Sequence, residues 1–129
     1  MQAGADSVKL EGTGRMLDRL SAITSVGIPC MGHVGMAPQQ IHLTGGYRSV
    51  GRTAAEALKV YNDAMSLGAA GAWMIELECV PWNVAEKITQ DLKVLTMGTV
   101  SGTCCDAQAL MTGDLWGLRR PVKHRLDKQ

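Results

Sequence analysis

Short apolar runs alternate with amphipathic stretches along this chain, and that rhythm admits few folds. Residues 7–10, 28–33, 73–78 and 94–98 read as strands, with 107–111 a short fifth. Residues 15–26 carry Met16, Leu17, Leu20 and Ile23 at the spacing of a helix with one buried stripe. Gly27-Ile28-Pro29 ends that helix, because glycine accepts the left-handed C-terminal position and proline cannot continue the ladder. Thr53 with Glu56 three residues on predicts a capping box, and Leu58, Tyr61 and Met65 share a face of the helix that follows, closed by 68–71. Pro81 falls near the first turn of a further helix, where its missing N–H costs little, and Val84, Ile88 and Leu92 form that helix's stripe. Strands and helices alternating through short connections mean βα units and a parallel sheet, an α/β fold. One connection breaks the pattern: residues 34–52 form a long loop whose glycines and Pro38 favour a shaped segment, such as a lid.

Composition narrows the partners. At 129 residues, 46% hydrophobic and 19% charged, the chain is a globular domain able to bury a core. A net charge of +1 gives no reason to expect nucleic acid or a membrane surface as partner, and the basic tail at about 119–129 reads as a solvated terminus. No apolar run is long enough to span a bilayer, and the first six residues lack the charged-then-apolar pattern of a secretory signal. Cys30, Cys79, Cys104 and Cys105 show no C-x-x-C spacing, so reduced thiols in a cytoplasmic protein are expected.

Ligands of parallel α/β proteins sit at the carboxyl ends of strands, and polar residues stand there. Lys9 and Glu11, two apart on a strand, share a face. They form either a solvated strand-end ion pair or a site wall, the lysine fixing an anionic oxygen and the carboxylate a hard metal such as magnesium. Glu78 ends another strand. It is either a general base with a raised pKa or an acid favoured by the positive end of the following helix. His33, inside Gly32-His33-Val34-Gly35, is a structural or a catalytic histidine. Cys30 with His33 makes a C-x-x-H pair, but no second pair has zinc spacing. Spacing alone therefore gives an anion or metal site at the rim of a parallel sheet, with the reaction open.

Specific motifs add a family. Ala3-Gly4-Ala5-Asp6 with Val8-Lys9-Leu10-Glu11-Gly12, then Gly32-His33-Val34-Gly35-Met36-Ala37-Pro38-Gln39, then Gly45-Gly46-Tyr47-Arg48 with Gly51-Arg52-Thr53, and finally Leu77-Glu78-Cys79-Val80-Pro81 occur in this order. From about residue 3 to 118 the chain resembles the ketopantoate hydroxymethyltransferases. The resemblance implies a (β/α)₈ TIM barrel of the phosphoenolpyruvate mutase-like type, of which 1–129 would be a single partial domain holding strands four to eight only. It implies transfer of a hydroxymethyl group from 5,10-methylenetetrahydrofolate to 3-methyl-2-oxobutanoate, giving 2-dehydropantoate for pantothenate and coenzyme A. By the same resemblance Glu78 is the catalytic base, Lys9 and His33 bind the substrate, and Glu11 belongs to the magnesium environment.

Departures from the family pattern qualify that expectation. Its two magnesium-site aspartates lie on earlier strands absent from this chain, so the Mg²⁺ site is incomplete and the isolated chain is expected to be weak or inactive. The outer strands would be open edges, an aggregation hazard. The alternative is a non-catalytic half-barrel module that pairs with an N-terminal half or with itself; the family's enzymes are homo-oligomers. Where the family reads Ile-Gly-Ile-Gly-Ala-Gly, this chain has Met97-Gly98-Thr99-Val100-Ser101-Gly102. Ala107 replaces a glycine in Cys105-Asp106-Ala107-Gln108, which strains the backbone if positive φ is needed there. Glu76 takes a usually apolar position on the face of Glu78, and two neighbouring carboxylates raise at least one pKa.

Overall fold

The computed structural model describes residues 3–118; the basic tail lies outside them. Five strands, β1 (Val8–Lys9), β2 (Cys30–Gly35), β3 (Met74–Glu78), β4 (Leu95–Thr99) and β5 (Ala107–Gln108), form one sheet in chain order, every neighbouring pair parallel. Helices α1 (Arg15–Ser25), α3 (Ala54–Ala69) and α4 (Trp82–Asp91) make the crossovers. Helix α2 (Ile41–Thr44) and a 3-10 turn (Pro38–Gln40) sit in the long loop, and α5 (Thr112–Leu115) follows β5. A strand order that never reverses belongs to a sheet curling one way, like an arc of a barrel, rather than to a doubly wound sheet. The helices consequently lie on one face, α1 and α3 against β2, α3 against β3 and α4 against β4.

Register divides the residues between the two faces. Gly32 pairs with Ile75 and Ile75 with Thr96; this face meets the helices and holds the core of Leu20, Val34, Leu67, Ile75, Leu77 and Ile88. A Cβ on Gly32 would stand 3.0 Å from Leu67, so the absence of a side chain lets α3 settle on the sheet. The opposite face carries Lys9, Met31, His33, Glu76, Glu78 and Thr99, with His33 beside Glu76 and Glu78 beside Thr99. Backbone bonds from Leu10 to Met31 and from Gly12 to His33 extend the β1 pairing past Lys9 and bring Glu11 alongside His33.

Several sequence expectations shift. The second strand starts at Cys30, two residues after the expected 28, and extends to Gly35. The seam of α3 is Val60, Ala64 and Leu67, with Tyr61 and Met65 at its margin, and Leu58 is 61% exposed. Thr53 does cap α3, accepting from the Glu56 N–H at 3.2 Å. The Glu56 carboxylate does not return to Thr53; it takes the N–H groups of Gly51 and Arg52 and the guanidinium of Arg48, tying the end of the long loop to the helix. Ala107 lies in β5 without positive φ, so the feared strain is absent there. It falls instead on Val100, at φ 54°, a β-branched residue where the family pattern has glycine.

Candidate active site

Four strands deliver one charged cluster to the face left free by the helices. Lys9 on β1 forms an ion pair with Glu76 on β3, and the second Glu76 oxygen accepts the Thr99 hydroxyl of β4 at 2.8 Å. His33 on β2 stands among three carboxylates: Nδ1 is 4.0 Å from Glu11 and 3.9 Å from Glu76, while Nε2 is 3.3 Å from Glu78. Lys9 and Glu11 share a face as expected, but Lys9 pairs across strands with Glu76 rather than along its own strand with Glu11.

The turn after β2 fixes the histidine. Its Nε2 lies 2.8 Å from the Met36 carbonyl, which only accepts, so Nε2 carries the proton and donates it there. Met36 in turn donates its N–H to the Glu78 carbonyl at 2.8 Å. A Cβ on Gly35, at φ 99°, would stand 2.2 Å from that same carbonyl, so only glycine permits the approach. Nδ1 is left buried without a hydrogen-bond partner, as is Oε1 of Glu11.

Electrostatics sorts the roles. Burial lowers the His33 pKa, with the Lys9 charge adding to it and Glu76, the Met36 carbonyl and Glu11 opposing it. Burial also pushes the Glu76 carboxyl up, but hydrogen bonds from Lys9 and Thr99 outweigh it and leave Glu76 below the usual range. The His33 proton beside Glu78 goes to the Met36 carbonyl instead, and burial first, then the charge of Glu76, raises Glu78 to about 7. Two neighbouring carboxylates thus diverge, one held ionised and one poised to exchange a proton near neutrality, the arrangement that assigns acid and base roles.

Sequence reading named Lys9, Glu11, His33 and Glu78 and flagged Glu76; the structure brings all five together. It missed Thr99 and the Met36 carbonyl, whose parts depend on strand register and on a turn. It also missed Ser101, a buried hydroxyl that accepts the Val80 N–H and donates to the Leu77 carbonyl at the end of β3. Cys79, the residue after Glu78, has φ 52°, a strained turn of the kind that collects at functional rims. Oε1 of Glu11 suits a hard cation, but among the described residues no group of three or more His, Cys, Asp or Glu is arranged to hold a metal.

A cleft of about 340 Å³ opens at the carboxyl ends of β1 and β2, between Glu11, Gly12 and His33 on one side and Lys59 and Asp63 of α3 on the other; Lys9, Glu76 and Glu78 do not line it. Fold and site together define a barrel-type α/β protein with a charged rim suited to a small ligand. Residues 1–129 match the family model described as ketopantoate hydroxymethyltransferase. Relatives named 3-methyl-2-oxobutanoate hydroxymethyltransferase include one from Nitrosopumilus maritimus, 43% identical over 129 residues, covering all of this chain and 46% of the relative. Another from Cenarchaeum symbiosum is 46% identical over 118 residues, covering 92% of this chain and 45% of the relative. A third, from Nitratidesulfovibrio vulgaris, is 41% identical over 128 residues, covering 99% and 42%. The chain belongs to the ketopantoate hydroxymethyltransferase family and spans less than half the length of these relatives.

Proposed function

We propose that the protein takes part in hydroxymethyl transfer to 3-methyl-2-oxobutanoate, as the names of its relatives state, with 5,10-methylenetetrahydrofolate as one-carbon donor. The observation that carries this reading is Glu78, a carboxyl raised to about 7 at the end of a strand, beside a lysine and a histidine. A base of that pKa is partly ionised at neutral pH and strong enough to take the proton next to a ketone. In this reading Glu78 removes that proton, and the electron pair of the broken C–H bond moves onto the ketone oxygen as an enolate. Lys9 supplies positive charge to the substrate anion. His33 reaches a substrate oxygen with Nδ1 only after that nitrogen takes a proton, which Glu76 and Glu11 favour and burial opposes. The enolate carbon then bonds to the one-carbon unit, whose bonds to the two folate nitrogens break. Tetrahydrofolate leaves with protons on those nitrogens, and water supplies the oxygen of the new hydroxymethyl group.

Magnesium, which belongs to the family reaction, would meet Glu11, but the described residues alone do not complete its shell. In this reading 1–129 is a single partial barrel domain of the phosphoenolpyruvate mutase-like type, contributing strands four to eight, and it works in the cytoplasm; among the described residues no helix is long and apolar enough to cross a membrane. The test is formation of 2-dehydropantoate from both substrates with Mg²⁺ present, by the chain combined with the remaining portion of one of these relatives. Glu78→Gln is expected to cut the rate by about 100-fold or more, the usual worth of a positioned base. A rate unaffected by that change contradicts the assignment.

A second reading, association with a complementing N-terminal half or another copy, is favoured by exposed apolar residues beside β5: Leu110, Met111, Leu115, Trp116 and Leu118.

A further inference from the structure

Glu76 lies at the centre of the charged face. Its side chain is 7% exposed, whereas that of Lys9 is 42% exposed. One Glu76 oxygen is engaged by Lys9 and the other by the Thr99 hydroxyl, so the carboxylate is anchored from the strands on both sides of the β2–β3 pair. The lysine stem crosses from β1 over β2 to reach it. Among the described residues, Glu11, His33 and Glu78 are the other charged groups that face this pair. An anion approaching Lys9 therefore meets an ammonium that already has a fixed, ionised partner.

We propose that Glu76 is a positioning residue that acts through Lys9: it pins the lysine ammonium to the inner wall of the sheet, so that an anionic carbonyl substrate gains Lys9 only in competition with Glu76. This rests on the reading of Lys9 as the substrate-anion contact. Thr99 holds Glu76 in place by bonding the oxygen that Lys9 leaves free. The lysine is more than a third exposed, and water screens the pair. The competition is therefore worth a modest factor rather than an on–off switch.

The experiment measures binding of 3-methyl-2-oxobutanoate by titration calorimetry to the full chain and to Glu76→Gln, Thr99→Val, Lys9→Met and the Lys9→Met/Glu76→Gln double variant. Glu76→Gln is expected to tighten binding about two- to fivefold, the range of a partly exposed ion pair expressed as an affinity ratio. Thr99→Val moves in the same direction by less, Glu76→Asp restores the weaker binding, and the effect of Glu76→Gln vanishes in the Lys9→Met background. Unchanged or weaker binding in Glu76→Gln, or the same shift without Lys9, overturns the proposal and leaves Glu76 as a cross-strand staple.

A failed substrate assignment looks different: neither the parent chain nor Glu76→Gln binds the oxo acid. Acetylation of Lys9 by a neutral amine reagent, read by peptide mass spectrometry, then decides the pinning by itself. Faster labelling in Glu76→Gln than in the parent supports it, and equal labelling contradicts it. Circular dichroism of each variant separates these outcomes from unfolding.

Discussion

Glu78 ties function to stability at the scale of one residue. Its folded value of about 7 lies above the ordinary 4.5, so as pH rises the unfolded chain gives up this proton first. Stability from the protonated group is complete below 4.5 and is lost as pH climbs through 7. By that linkage Glu78→Gln is expected to leave the melting temperature unchanged near pH 4 and to raise stability at pH 8, by at most about 3 kcal/mol. Thermal melts across that range check it; a variant that loses stability at pH 8 contradicts it. Val100 offers a second case. Its φ of 54° costs a β-branched residue about 1–3 kcal/mol, while glycine there loses about 0.5–1 kcal/mol in the unfolded chain's greater freedom. Val100→Gly should therefore stabilise by about 1 kcal/mol in denaturant unfolding. The resemblance made this position legible as a lost glycine. The partner of Glu76 was not legible, because Lys9, Glu76 and Thr99 are far apart in sequence and meet only through strand register.

Elements were easier to read in kind than in phase. Each expected strand exists, yet β2 begins at Cys30 because the chain through Ile28 and Pro29 is still turning out of α1; only the Pro29 carbonyl joins the sheet, accepting from Val8. In α3 both 58-61-65 and 60-64-67 are valid helical stripes, and periodicity does not choose between them. The choice is made by the sheet: Leu67 fits the space above Gly32, which rotates Leu58 to the outside. The β2–β3 rim depends on Gly35 in the same way. Gly35→Ala forces a Cβ to within 2.2 Å of the Glu78 carbonyl, a backbone atom that cannot yield without moving β3. That substitution is expected to cost about 2 kcal/mol or more and to release His33 from Met36. Chemical denaturation reads the first effect and the His33 imidazole NMR signals the second; a neutral substitution contradicts the role given to this turn.

Across the whole molecule, the sheet is an arc with helices on one side only. Among the described residues β1 and β5 have no outer partner, and the free face is charged at its centre while large apolar side chains stand exposed beside β5. Such a surface is a liability unless it is covered. Sedimentation velocity of the 129-residue chain is expected to show self-association, reduced when Leu110→Lys and Trp116→Glu are combined; a strictly monomeric parent contradicts it. Sequence made the arc foreseeable through the family motifs, but the convergence of five charged side chains needed the parallel register of three strands, β1 to β3. That convergence raises Glu78 to the pKa of a base able to take the proton next to a ketone. Exchange of the C3 hydrogen of 3-methyl-2-oxobutanoate for deuterium, followed by NMR against pH, isolates this step from the one-carbon donor. The measurement uses the chain alone and together with the remaining portion of a curated relative. Exchange is predicted to rise through an apparent pKa near 7 and to fall about 100-fold or more in Glu78→Gln. Exchange that is indifferent to Glu78→Gln, or to pH around 7, would contradict it.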